Sequence, residues 1–186
     1  MGVSISMGTF ISMIASCKTE PGATVSASYF TDTAQSAFIE NIAEIILPKT
    51  DTPGAKEAGV IKYIDVIVGK IYKPEEQKKF NKGLEASMNA VKDGDLTEFV
   101  TSKIGANADK DTYASMMKLT EAKEPPTDAA AQNDYYIYSF LNAVKGLAVG
   151  GYFGSEIIAT EYMVYNPVPG PYQGCIDYDG GNNYYL

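Results

Sequence analysis

Thr127–Val149, TDAAAQNDYYIYSFLNAVKGLAV, is the stretch from which the fold of this chain is read. Its apolar positions Tyr136, Ile137, Phe140, Leu141, Val144, Leu147 and Ala148 recur at three- and four-residue steps, which puts them on one side of an α-helix. Pro125-Pro126 break the chain before it, and Thr127 or Asp128 offers a side-chain oxygen to cap a helix start. The spacing predicts the longest helix of the protein, running to about Val149.

The same period governs what precedes it. Between Thr33 and Leu47 the residues Ala34, Phe38, Ile42, Ile45 and Ile46 form an apolar stripe that Pro48 stops. Thr52 can cap a further helix with Pro53 at its first position, where the missing N–H costs nothing. That helix is expected to reach Tyr72 with Val60, Ile64, Ile67, Val68 and Ile71 turned inward. Pro74-Glu75-Glu76 opens another, with acids in its first turn as the helix dipole favours and Phe80, Leu84, Met88 and Val91 as a core stripe. Asp95 caps a short helix to Ile104, and one more follows from Asp109 to Ala122. Strand alternation, hairpin turns and internal repeats are all missing. The expectation is an all-α protein, an irregular bundle of about five to six helices.

After Val149 the character changes. Gly150–Cys175, GGYFGSEIIATEYMVYNPVPGPYQGC, holds five Gly, five aromatic residues and three Pro. So many turn residues and rings are expected to form an extended arm seeking another surface. Tyr152, Phe153, Tyr162, Tyr165 and Tyr172 are the candidate anchors, Pro167, Pro169 and Pro171 stiffen the path, and Glu156 and Cys175 lie on the same segment. The glycines of GGYFGSE resemble a phosphate-binding loop only in number, because no strand leads into them.

Composition narrows the chemistry. The chain has 186 residues, a net charge of −8 and no His, and all 15 basic residues are Lys. It therefore offers no His-based triad and no His-ligated zinc or haem, and it lacks the basic footprint and guanidinium forks of a nucleic-acid binder. Two cysteines alone cannot ligate an iron–sulfur cluster. Acid–base chemistry would rest on Asp51, Glu57, Asp65, Glu156 or Glu161, each of which also has a structural reading as a cap or surface charge. No catalytic residue, metal ligand or cofactor-binding residue is assigned to the chain.

Residues 1–17, MGVSISMGTFISMIASC, are apolar and uncharged. They end in Ile14-Ala15-Ser16-Cys17, the shape of a lipidation signal with Cys17 as acceptor. The run has no positively charged n-region, so it reads either as the remnant of a leader with an internal start at Met1 or as an ordinary buried helix, and we take the former. Residues 18–32 read as a linker, 33–175 as the helical domain and 176–186 as an acidic, Tyr-rich tail. Lipidation at Cys17 would make this an exported protein, periplasmic or anchored to a membrane by lipid.

Two separated motifs then carry a resemblance. Leu47-Pro48-x-Thr50-Asp51-Thr52-Pro53-Gly54-Ala55 is followed far downstream by Gly151-Tyr152-Phe153-x-Ser155-Glu156-Ile157-x-Ala159-Thr160 and by Tyr165-x-Pro167-Val168-Pro169-Gly170-x-Tyr172-x-Gly174-Cys175. In this order they resemble the gluconate 2-dehydrogenase subunit 3 family, over roughly residues 33–176. The resemblance implies an all-helical, non-catalytic small subunit that supports folding and export of a large FAD-dependent sugar or sugar-acid dehydrogenase of the glucose–methanol–choline class. It also implies that FAD lies in that partner, with haem c in a third, cytochrome subunit of some complexes. Family members commonly carry a twin-arginine leader; with no Arg here, such a motif would lie upstream of Met1 or be absent. The alternative expectation is a stand-alone surface lipoprotein whose C-terminal aromatics stack on carbohydrate.

Overall fold

The computed structural model describes residues 28–92, 94–105, 108–121 and 124–163. Cys17, Tyr165, Pro167, Pro169, Tyr172 and Cys175 lie outside them. Among the described residues there are six α-helices and no strand: α1 (Thr33–Ile46), α2 (Val60–Val66), α3 (Pro74–Val91), α4 (Leu96–Ile104), α5 (Lys110–Thr120) and α6 (Ala129–Phe153). Two π-helical turns complete the set, π1 (Ile67–Ile71) directly after α2 and π2 (Ile158–Tyr162) after α6. The all-α expectation holds.

Helix starts are fixed by aspartates. Asp32 accepts from the Ala34 N–H at 2.8 Å, Asp95 from Thr97 at 2.7 Å, Asp109 from Thr112 at 2.8 Å and Asp128 from Ala131 at 2.9 Å. Each satisfies an amide that has no partner inside its helix, a contribution of about 1 kcal/mol. At α3 the roles are reversed: the Lys73 N–H donates to Glu76 Oε2 at 2.8 Å, so the first-turn carboxylate reaches back over the start of the helix.

α6 is the central helix. It packs against α3 most extensively, and also against α2, α5, α1 and α4. Tyr135, Ile137, Tyr138, Phe140, Leu141, Val144, Ala148 and Tyr152 are all buried, so more than one side of the helix is covered, as befits a helix enclosed by others. Phe140 meets Phe80 of α3 edge-on at 5.0 Å, and Phe80 in turn stacks toward Phe30 and Tyr72. The crossing is close because Gly83 of α3 lies directly on α6. A Cβ there would overlap the Tyr136 carbonyl oxygen and come within 2.5 Å of Phe140 Cβ.

Three expectations change. First, residues 53–59 are not helical: α2 starts only at Val60, after Gly59 at φ 67°, for reasons given with the site. Second, Ile71 is 66% exposed. The chain turns from α into the wider π geometry at Ile67, so the α-helical step that should have brought Ile71 inward no longer applies. Third, Phe30, expected in a linker, is buried in the core. Asp65 holds it there, accepting from the Phe30 N–H at 2.9 Å and the Ser28 hydroxyl at 2.7 Å. The packed unit thus begins before Thr33.

Candidate functional site

Leu47–Gly59 joins α1 to α2 and contains the first motif. Pro48 cannot continue α1, so the chain folds over the end of that helix. The Ala55 N–H donates to the Leu47 carbonyl at 3.0 Å and the Thr50 N–H to the Thr52 carbonyl at 3.0 Å. Glu44, in the last turn of α1, reaches under the loop. Its Oε2 accepts from the Lys56 N–H at 2.9 Å and its Oε1 from the Lys49 N–H at 3.3 Å. The carboxylate lies so close to Gly54 that a Cβ there would fall inside it. Of the amides that a helix beginning at Pro53 would have left open, Lys56 N–H is thus taken by a side chain of α1 and Ala55 N–H by the Leu47 carbonyl. The left-handed turn at Gly59 then releases the chain into α2.

The second motif closes on this loop from above. α6 extends past Val149 through Gly150, Gly151, Tyr152 and Phe153, so the start of the expected arm is the last turn of a helix. Gly151 packs against the Tyr63 ring of α2, where a Cβ would meet the ring at 2.8 Å. These glycines therefore serve helix packing, and no phosphate cradle is formed by them. Tyr152 is 8% exposed. Its hydroxyl donates to the Pro53 carbonyl at 2.8 Å and lies 3.1 Å from Thr52 Oγ1. Residues about a hundred positions apart are tied together here through one phenol.

Tyr152 thus belongs to the interior of the chain, against the expectation that its ring would anchor a partner. Phe153 and Tyr162 do face outward, at 41% and 39% exposure. Beyond Tyr152 the Ser155 hydroxyl donates to its carbonyl at 2.7 Å and the chain enters π2, with Ile158 buried beneath. Between π2 and the loop lies a cleft of about 370 Å³, lined by Pro48, Thr52, Phe153, Ile158, Tyr162 and Met163 among others. Most of its walls are apolar.

The candidate acids do not converge. Asp51, Glu156 and Glu161 are exposed on separate turns. Glu57 is held by Lys49, whose ammonium is in turn pushed above its ordinary pKa by the hydrogen bond and charge of Glu57. At Asp65 burial pushes the pKa up, but hydrogen bonds from Phe30, Ser28 and Tyr29 and the charge of Lys70 outweigh it and leave the group below the usual carboxylate range. That is the signature of an ionised structural anchor, unsuited to donating a proton near neutrality. Among the described residues no three His, Cys, Asp or Glu side chains are grouped to hold a metal, and no helix is long and apolar enough to cross a membrane.

Sequence reasoning missed Glu44 and Tyr63. Glu44 sits in an ordinary helical position, and its role depends on a loop five to twelve residues on. Only the small Gly54 hinted that something lay close. Tyr63 carried a similar hint in the paired Gly150-Gly151, which its ring covers.

A family model described as gluconate 2-dehydrogenase subunit 3 matches residues 33–170. No curated protein and no solved structure matches the chain. The match begins at the first residue of α1 and takes in the Glu44-braced loop, the Tyr152 contact and the cleft beside them. The chain belongs to the gluconate 2-dehydrogenase subunit 3 family.

Proposed function

We propose that this chain is a non-catalytic accessory subunit that binds a large FAD-dependent dehydrogenase acting on a sugar or sugar acid, and assists its folding or export. Membership of a family of small dehydrogenase subunits supports association with a larger complex. The observation that carries the finer reading is the Tyr152 contact with Thr52 and Pro53. The described parts of the family motifs, Leu47–Ala55 and Gly151–Thr160, brace one surface, with their candidate acids on separate turns. An active site would instead bring proton-transfer groups within reach of one substrate. FAD belongs to the partner in this reading, and haem c, where present, to a cytochrome subunit. Export and a lipid on Cys17 extend the same reading and rest on the Ile14–Cys17 motif alone.

Expressing the large FAD-bearing subunit with and without this chain tests the proposal. Co-purification and a higher soluble, flavin-loaded yield are expected when both are present. Equal yield and no co-purification would overturn the subunit reading. Incorporation of labelled palmitate, lost on Cys17→Ser, would separately support the anchor.

A further inference from the structure

The cleft between π2 and the Leu47–Gly59 loop has the makings of a binding groove for one kind of partner segment. Its floor and walls are mainly apolar, with Pro48, Phe153, Ile158 and Tyr162 contributing. Two of its rings, Phe153 and Tyr162, remain substantially exposed. The backbone around it is tied by Glu44 under the loop and by Tyr152 between loop and helix. A groove braced in this way loses little conformational entropy on binding, which favours affinity.

Charge says what would fill it. Asp51 lies between the two lining threonines Thr50 and Thr52, and Glu161 directly precedes Tyr162; both are exposed. Lys49, the lysine placed near Tyr162, is paired with Glu57. Lys56 donates to Asn41 Oδ1 on the α1 side at 2.8 Å. An exposed acid thus adjoins the apolar cleft on its loop side and another on its π2 side, while the Lys49 charge is taken up by Glu57, and basic residues on a partner would complement that rim.

We propose that this groove receives an apolar side chain, flanked by lysine or arginine, from the large dehydrogenase subunit. The inference rests on the accessory-subunit reading and specifies where and with what chemistry that subunit docks. Phe153 and Tyr162 supply the buried anchors, and Asp51 and Glu161 steer the basic flanks.

The test uses the full-length chain and the purified FAD-bearing large subunit, with affinity measured at low and high salt. Phe153→Ala with Tyr162→Ala is expected to weaken binding by about thirtyfold, the loss typical of an interface anchor. Asp51→Lys with Glu161→Lys is expected to weaken it at low salt and to flatten the salt dependence. Ile71→Ala, an exposed residue outside the groove, is expected to leave affinity within about twofold. Wild-type binding that survives the aromatic double variant would overturn this inference while leaving the subunit reading intact. Failure of the wild-type chain to bind at all would overturn both. Unchanged salt dependence in the charge-reversed chain would overturn the basic partner segment. A lower melting temperature of the isolated aromatic variant with unchanged affinity would assign the groove to a segment of this chain. Concentration-dependent self-association abolished by the same variant would assign it to a second copy. Either result overturns the proposal.

Discussion

The α3–α6 seam and the junction between the Leu47–Gly59 loop and the end of α6 hold the same helix by opposite means. In the seam, Gly83 lets two backbones approach until Phe80 and Phe140 interlock, and the attraction is apolar burial and dispersion. At the junction, a carboxylate and a phenol satisfy backbone groups of a loop that forms no regular structure of its own. Burial stabilises in proportion to area and tolerates little change of shape. Hydrogen bonds contribute less each, but they fix direction, and leaving a buried one unmade is costly. The contrast teaches a division of labour: the seam supplies stability, and the junction sets the shape of the exposed cleft beside it.

The largest losses are expected in the seam. Phe140→Ala removes a fully buried ring from the centre of α6 and is expected to cost about 3–5 kcal/mol. Gly83→Ala drives a methyl group into the Tyr136 carbonyl and Phe140. The main chain there cannot swing aside as a side chain would, and a loss of about 1–3 kcal/mol is expected even though alanine is the better helix former. Urea unfolding reads both. A Gly83→Ala chain as stable as the wild type would show that the helices can separate without penalty and would undo the argument for the seam.

At the junction the expected losses are smaller. Tyr152→Phe keeps the ring and deletes the hydroxyl, stranding the Pro53 carbonyl, and should cost about 1–2 kcal/mol. Its larger consequence is expected in partner binding, because the loop that walls the cleft loses its tie. A cost equal to that of Phe140→Ala would mean that the junction is part of the main core. Normal affinity for the large subunit would mean that the tie does not shape the cleft.

Asp65 fastens Ser28 and Phe30 to α2, and that tie depends on pH. Its folded pKa is depressed, so the stability it contributes is present above the unfolded value of about 3.9 and is lost as pH falls through the folded value. The difference in melting temperature between wild type and Asp65→Asn should therefore shrink as pH drops below about 4. A difference that stays constant through that range would show that the carboxylate's charge is irrelevant to the anchor. The smallest effect, and the only one of favourable sign, is expected at Ser87 on the inner face of α3. Its hydroxyl is fully buried with no hydrogen-bond partner, so Ser87→Ala should be neutral or stabilise by up to about 1 kcal/mol in thermal denaturation.

Much of the fold is local and was legible for that reason. Asp95 and Asp109 sit where capping chemistry puts them, Pro48 and Pro74 punctuate as their missing N–H requires, and the Phe80–Leu84 stripe faces the core. The stripe then departs from expectation at its next turn, where Ser87 takes the fully buried place and Met88 the half-buried one. Of the candidate site, the motif segments were legible but their roles were not. By sequence Tyr152 belongs to an extended arm, because glycines flank it on both sides. In the folded chain Gly150 and Gly151 let α6 run on beneath Tyr63, and the helical phase carries Tyr152 inward while Phe153 stays out.

The helical class of the protein, the starting points of most of its helices and its family are written along the chain. Those properties follow from capping atoms, three-to-four periodicity and motif order, all of which act or are recognised along the chain. The tertiary structure alone decided that residues 53–59 would be a braced loop, that Phe30 would complete the core and that Tyr152 would join two distant motifs. Each depends on a partner group many residues away. Gly54–Ala58 does close one turn, with the Ala58 N–H on the Gly54 carbonyl, but left-handed Gly59 ends it, and Glu44 and the Leu47 carbonyl, which only the folded chain brings within reach, hold it over the end of α1.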